Sequence, residues 1–303
     1  MAAKLEYFLL DVFAATPFTG NPLAVVMDTC ALTKEQMQAI AREFNLSETT
    51  FIVRRSPQTE RAEGVRVRIF TPQEELPFAG HPTLGTASIL KMNAPETVES
   101  DTVTLALNVG RVPVRFEERG DGAGLFGEMT QRDPEFGAEL DGADVAPLIG
   151  LSIDDLDSAF TPQVVSTGNP FAIVVLRSME ALERLHVDQN AATAWLRQRG
   201  ARWFYVLAPA PDEHRNSAPQ WRARMQFYGG EDPATGSAAG CAISYHVARG
   251  SVPSGVRIHL RQGVEIGRPS DLFLSAKKDS AKVRDVRVAG STVFVAKGQL
   301  FQS

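Results

Sequence analysis

Three short stretches of this chain return in the same order about 150 residues later, and no other feature constrains the fold as strongly. Gly20-Asn21-Pro22-Leu23-Ala24-Val25-Val26 returns as Gly168-Asn169-Pro170-Phe171-Ala172-Ile173-Val174, an offset of 148. Arg66-Val67-Arg68-Ile69 returns as Arg222-Ala223-Arg224-Met225, an offset of 156. Pro82-Thr83-Leu84-Gly85-Thr86-Ala87 pairs with Pro233-Ala234-Thr235-Gly236-Ser237-Ala238, an offset of 151. Ordered matches at nearly constant spacing are more than a coincidence of turn residues. The 303 residues therefore read as two similar mixed α/β halves, and the cleft between them is the default site.

Local patterns fill in each half. Phe8–Phe13, Leu23–Val26, Phe51–Val53 and the alternating Val65–Phe70 read as strands. Thr33 and Gln36 form a capping box, and Met37, Ile40, Ala41 and Phe44 follow at helical spacing. Val112, Val114 and Phe116 run to a Gly120-Asp121-Gly122 turn, and Leu125, Gly127 and Met129 return as a hairpin. The polar stretch 131–160 reads as the connection between halves. Beyond it come strands at Val164–Ser166, Phe171–Val175, Trp203–Leu207 and Trp221–Phe227, and a helix at Gln189–Gln198. A long helix follows Asp232-Pro233, and the tail Val283–Val295 reads as strands.

Charge and cysteine usage narrow the function. Lys plus Arg is 31 and Asp plus Glu is 36, a net charge of −5 that argues against nucleic acid or an anionic membrane as partner. Only Cys30 and Cys241 occur, so neither a disulfide framework nor a zinc cluster is expected, and no metal site is. No Gly-rich phosphate loop sits between a strand and a helix. No signal peptide or membrane span is expected, which puts the chain in the cytoplasm by default.

The third match places chemistry. It reads as a strand end, a Gly-containing turn and a proline opening a helix, with His81 and Asp232 in the N-cap slots. Gly85 and Gly236 fall in the first turns, followed by the small hydroxyl residues Thr86 and Ser237. Such helix starts leave backbone N–H groups open to an anion.

Several segments together carry a family resemblance. They are Asp11-Val12-Phe13 with Phe18-Thr19-Gly20-Asn21-Pro22, Asn45-Leu46-Ser47-Glu48-Thr49-Thr50-Phe51, Phe78-Ala79-Gly80-His81-Pro82-Thr83-Leu84-Gly85, and Glu231-Asp232-Pro233-Ala234-Thr235-Gly236-Ser237-Ala238. The chain resembles the phenazine-biosynthesis isomerase family (PhzF-like). The resemblance implies the diaminopimelate epimerase-like fold, of class α/β (α+β). That fold has two pseudo-symmetric halves, each a mostly antiparallel sheet around a central helix. One half spans 1–130, with the last strand near 291–303 a candidate to join it, and the other spans 131–290. The resemblance also implies a homodimer and a cofactor-independent isomerase similar to trans-2,3-dihydro-3-hydroxyanthranilate isomerase. Such an enzyme moves a proton on a small cyclic or unsaturated carboxylate.

By the same resemblance the catalytic residues are Glu48, His81 and Asp232, and Gly80 and Ser237 bind substrate; the second helix start adds Thr235 and Gly236 as substrate-binding residues through its open backbone N–H groups. Glu48 is the general acid/base, which Leu46 and Phe51 would tune by raising its pKa. Asp232 caps its helix and orients His81. Read without the resemblance, Glu48 is a solvated strand-edge carboxylate, Asp232 a plain N-cap and His81 a core histidine. His186, His214, His246 and His259 lie outside every repeat and read as structural or exposed. Asn21 and Asn169 read as turn formers, and Arg268 as part of a turn. The epimerase relatives place a cysteine at each helix start, where this chain has Ala79 and Pro233. A two-thiol racemase is therefore disfavoured. A racemase without thiols and a non-catalytic carboxylate-binding protein remain the alternatives.

Overall fold

The computed structural model describes residues 4–118, 124–210, 220–227 and 230–301. Two compact units emerge. One comprises residues 1–130 and 289–303, the other residues 131–288.

The first unit begins with β1 (Lys4–Val12), β2 (Asn21–Val26), α1 (Lys34–Phe44), β3 (Glu48–Val53), α2 (Pro57–Glu63), β4 (Val65–Phe70) and β5 (Glu75–Leu76). It continues with α3 (Gly80–Asn93), β6 (Val98–Glu99), β7 (Thr102–Leu107), β8 (Gly110–Glu117) and β9 (Leu125–Thr130). The Thr33 and Gln36 side chains form the expected capping box on α1. The β8–β9 hairpin forms as expected, and its Gly120–Gly122 turn lies outside the described residues. Gly20, in the β1–β2 connection, adopts φ +67°, and a Cβ there would lie 2.4 Å from the Val12 carbonyl oxygen. Only glycine fits such a turn.

The second unit holds β10 (Glu135–Glu139), α4 (Gly142–Leu148), β11 (Gln163–Ser166), β12 (Pro170–Val175), α5 (Met179–Glu183), α6 (Gln189–Gln198) and β13 (Trp203–Pro209). Then come β14 (Gln220–Arg224), β15 (Gln226–Phe227), β16 (Gly230–Glu231), α7 (Gly236–Arg249), β17 (Ile258–Gln262) and β18 (Ser270–Asp279). A long final strand, β19 (Lys282–Phe301), starts in this unit, and its last residues pair with β1 in the first. The stretch 131–160 is not a connection. Leu140, Val145, Ala146, Ile149, Leu151 and Leu156 from it are buried in the second unit's core.

The duplication is a duplication of topology. In the first unit β1–β2 is antiparallel, β2–β3 parallel, β3–β4 antiparallel, β4–β7 parallel and β7–β8 antiparallel. In the second, β11–β12, β12–β13, β13–β14, β14–β17 and β17–β18 repeat that series in the same order. Each sheet wraps one helix. α3 touches β1, β2, β3, β7, β8 and β9, while α7 touches β11, β12 and β18. Both helices are buried on nearly every side, which explains their lack of a polar face.

The structure corrects the register of the third repeat. Pro82 is the third residue of α3, whereas Pro233 precedes α7 by three residues, so the two are not equivalent. An offset of 156, already set by Arg66 and Arg222, runs on through the helix starts. It aligns Glu75-Leu76-Pro77-Phe78-Ala79-Gly80-His81 with Glu231-Asp232-Pro233-Ala234-Thr235-Gly236-Ser237. The Phe70–Glu75 pairing of β4 with β5 becomes the Gln226–Glu231 pairing of β15 with β16. The ion pair between Arg68 and Glu75, 2.6 Å, recurs as Arg224 and Glu231, also 2.6 Å. Both Arg side chains bind the carboxylate through two nitrogens, a geometry that fixes the turn leading into the helix.

Candidate active site

In the first unit the sheet and helix bring Asn21, Glu48 and His81 together. β2 and β3 run parallel, with Leu23 beside Glu48, so Asn21 and Glu48 both lie where their strands begin. His81 is not an N-cap. α3 begins at Gly80, its N-cap is Ala79, and His81 sits inside the first turn. Ala79 offers no side-chain cap, so Gly80 and His81 present their amides at the positive end of the helix dipole.

All three side chains are buried, with Glu48 9% and His81 2% exposed. Asn21 Nδ2 donates to His81 Nδ1 over 3.2 Å. That bond places the ring proton on Nε2, which faces Glu48 Oε2 at 3.6 Å. Burial lowers the His81 pKa to about 3. The contact is thus between a neutral N–H and a carboxyl group, not an ion pair at neutral pH. Within its own unit the ring is oriented by Asn21. Asn21, read from sequence as a turn former, is instead a positioning residue for His81.

The second unit offers a different helix start. α7 begins at Gly236 with Thr235 as N-cap, so Asp232 is not the cap either. The three residues from Pro233 to Thr235 separate Asp232 from the helix. Its Oδ2 accepts the Thr235 hydroxyl at 2.6 Å. Gln262 locks this turn. Its Nε2 donates to the Asp232 carbonyl at 2.8 Å, and its Oε1 accepts the Thr235 N–H at 3.1 Å and the Tyr205 hydroxyl at 2.9 Å. Burial raises the Tyr205 pKa well above its ordinary value, with the charge of Asp232 adding to it, so Tyr205 stays a donor. Ser237 follows in the first turn, buried, and its hydroxyl makes no hydrogen bond among the described residues.

Not every residue singled out at the helix starts belongs there. Gly85 lies in the second turn of α3. A Cβ on it would come within 2.6 Å of Leu23 Cδ2 and 2.8 Å of Val12 Cγ2, so it serves close packing and not anion binding. Thr86 donates to Thr50 in the core. Cys241 sits inside α7, where burial pushes its pKa to about 12, and Cys30 is an exposed thiol that donates to the Arg54 carbonyl. In the corrected register the two N-caps are Ala79 and Thr235, and neither is a thiol. His246 is buried against Ser251, His259 pairs with Asp271, His186 is exposed, and His214 lies outside the described residues.

Gln262 and Tyr205 were missed from sequence. A signal existed for Gln262: in Ile258–Gln262 the alternation points Ile258, Leu260 and Gln262 inward, and a buried amide demands partners.

The 156-residue register separates scaffold from chemistry. Glu75/Glu231, Pro77/Pro233 and Gly80/Gly236 are kept in both units. Leu76/Asp232, Ala79/Thr235 and His81/Ser237 differ. Positions that hold the turn are repeated, and several polar positions at the helix starts have diverged.

A sheet wrapped around a buried helix, built twice, with different polar groups at the two helix starts, defines the diaminopimelate epimerase-like class. Within it the match is more specific. The signature of the phenazine biosynthesis-like proteins, PhzC-PhzF, spans residues 10–298, and the chain belongs to that family. It is 39% identical over 304 residues to the trans-2,3-dihydro-3-hydroxyanthranilate isomerase of Pseudomonas aeruginosa, covering 98% of this chain and 99% of that protein. A PhzF-family phenazine biosynthesis protein of Bacillus anthracis superposes with a TM-score of 0.84 at 26% identity, covering 98% and 99% of the two chains. A hydroxyproline epimerase from Agrobacterium vitis shares the fold alone, with a TM-score of 0.66 at 12% identity over 98% of this chain and 92% of that one. The chain is accordingly an enzyme of the isomerase class.

Proposed function

We propose that the protein moves a proton between two carbons of a small cyclic or unsaturated carboxylate, with trans-2,3-dihydro-3-hydroxyanthranilate as the first substrate to test. One observation carries this reading: the buried Glu48 carboxyl group faces the N–H of a neutral His81 at 3.6 Å, beside an uncapped helix start.

Glu48 as carboxylate takes the C–H proton. The bonding pair left behind delocalises into the conjugated system and onto the substrate carboxylate as a dienolate. The amides of Gly80 and His81 and the Nε2–H of His81 donate to the charge that develops. Glu48, now protonated, returns the proton at another carbon, and the double bonds shift with no net gain or loss of atoms. General acid–base work of this kind contributes about 10² to 10⁴ in rate. Asp232 and Thr235, locked by Gln262, and Ser237 with Gly236 hold the substrate's polar groups. Activity in the cytoplasm as a homodimer completes the proposal, and light scattering on the purified protein tests the dimer.

The experiment is incubation of the candidate substrate in D₂O, followed by proton NMR. The proposal expects deuterium at one ring carbon together with a moved double bond. Deuterium at a stereocentre with no double bond moved would replace isomerisation by racemisation. Binding without label would make the protein a carboxylate-binding protein.

A further inference from the structure

A concavity of about 440 Å³ in the first unit shares no residue with the Asn21–Glu48–His81 cluster. Its floor is the β7–β8 ladder. Ala106 pairs with Arg111 and Thr104 with Pro113, which puts Thr102, Thr104 and Arg111 on one face, while Val103 and Leu105 turn into the core. Its walls are α2, which supplies Arg61, and the β6 segment, which supplies Glu99.

The charges in this wall divide into engaged and unengaged groups. Arg54 Nε and Nη2 donate to Glu60 at 3.0 and 3.1 Å, and Nη2 also to Glu96 at 3.1 Å. Arg61, Arg111 and Glu99 make no ion pair among the described residues, and the hydroxyls of Thr102 and Thr104 make no hydrogen bond. Two guanidiniums and two hydroxyls are thus available to an anionic group. Glu99, the carboxylate of this wall without an ion pair among the described residues, offers an acceptor to a cation. Pro57 and Val98 add an apolar wall.

We propose that this pocket binds a small apolar α-amino acid. Its carboxylate lies on Arg61 and Arg111 with the threonine hydroxyls, its ammonium meets Glu99, and its side chain covers Pro57 and Val98. The site is independent of the isomerase chemistry and is a candidate effector site.

Calorimetric titration of the full chain with L-leucine tests it. The expected result is saturable binding. L-leucinamide lacks the carboxylate and N-acetyl-L-leucine lacks the ammonium, so each binds at least about tenfold more weakly. Arg61→Gln and Arg111→Gln each weaken L-leucine binding by about tenfold or more, because each removes a charge-assisted donor. Both side chains are exposed and unengaged, so the variants keep the parent circular dichroism spectrum. Glu48→Gln leaves the affinity unchanged. Absence of heat with millimolar L-leucine would overturn the proposal. So would equal binding of N-acetyl-L-leucine or inorganic phosphate, or an Arg111→Gln variant that binds like the parent.

Discussion

Asn21→Asp changes one atom of the group that sets the His81 tautomer. In the parent, Nδ2 donates over 3.2 Å to Nδ1, and burial lowers the imidazole pKa to about 3. A carboxylate at that distance accepts a proton instead of giving one. At an effective dielectric near 20, a unit charge 3.2 Å from an imidazolium contributes about 332/(20 × 3.2), or ~5 kcal/mol. Divided by about 1.36 kcal/mol per pH unit, that lifts the His81 midpoint from about 3 toward ~7. Desolvation of the new carboxylate takes some of this back, which leaves a midpoint above about 5. In its neutral form the variant ring carries its proton on Nδ1, so Nε2 presents a lone pair to Glu48. Turnover should fall by about tenfold or more at neutral pH, with affinity for a substrate analogue changed less. Nitrogen-15 NMR of histidine-labelled protein reads both effects. The parent should show the Nε2–H tautomer with no titration down to about pH 4, and the variant should show Nδ1–H and titrate above 5. An Asn21→Asp protein that keeps the Nε2–H tautomer and full activity would refute the argument.

With Ser237 holding the substrate as proposed, Ser237→Ala removes a donor to ground state and transition state alike, so KM should rise several-fold with kcat nearly unchanged in steady-state assays. Gly85→Ala places a Cβ against Leu23 and Val12 at 2.6 and 2.8 Å, and thermal unfolding should report a loss of about 1–3 kcal/mol. His81 and His246 are both held near a pKa of about 3 by burial, so between pH ~6.5 and ~3 the unfolded chain binds up to two more protons than the folded one. Stability should therefore fall as pH drops through this window, by about 1.4 kcal/mol per pH unit for each histidine. Urea midpoints measured from pH 7 to pH 5 should show it, and His246→Phe should reduce the slope; equal midpoints across that range would contradict it.

The duplication was legible because glycine, asparagine and proline mark turns whatever packs around them. Its register was not, because proline is tolerated at several places near a helix start. The first N–H groups of a helix bond to no residue within it, so Pro82 fits inside the first turn as well as Pro77 fits before it. The stretch 131–160 read as a connection because aspartates, glutamates and prolines interrupt its apolar residues, yet Leu140, Val145, Ile149 and Leu156 among them are buried in the second core. Glu48 and His81 stood out once their motif was seen. Asn21 did not, since Gly-Asn-Pro occurs in both halves and only tertiary contact shows which copy meets a histidine.

The central claim is that Glu48 carries the proton. Glu48→Gln keeps the size of the side chain and removes the base. Deuterium uptake from D₂O into trans-2,3-dihydro-3-hydroxyanthranilate, followed by NMR on parent and variant at equal substrate saturation, tests it most directly. The account predicts a rate at least about 10²-fold lower in Glu48→Gln, with the affinity for a substrate analogue largely retained. A variant that incorporates deuterium as fast as the parent would contradict it.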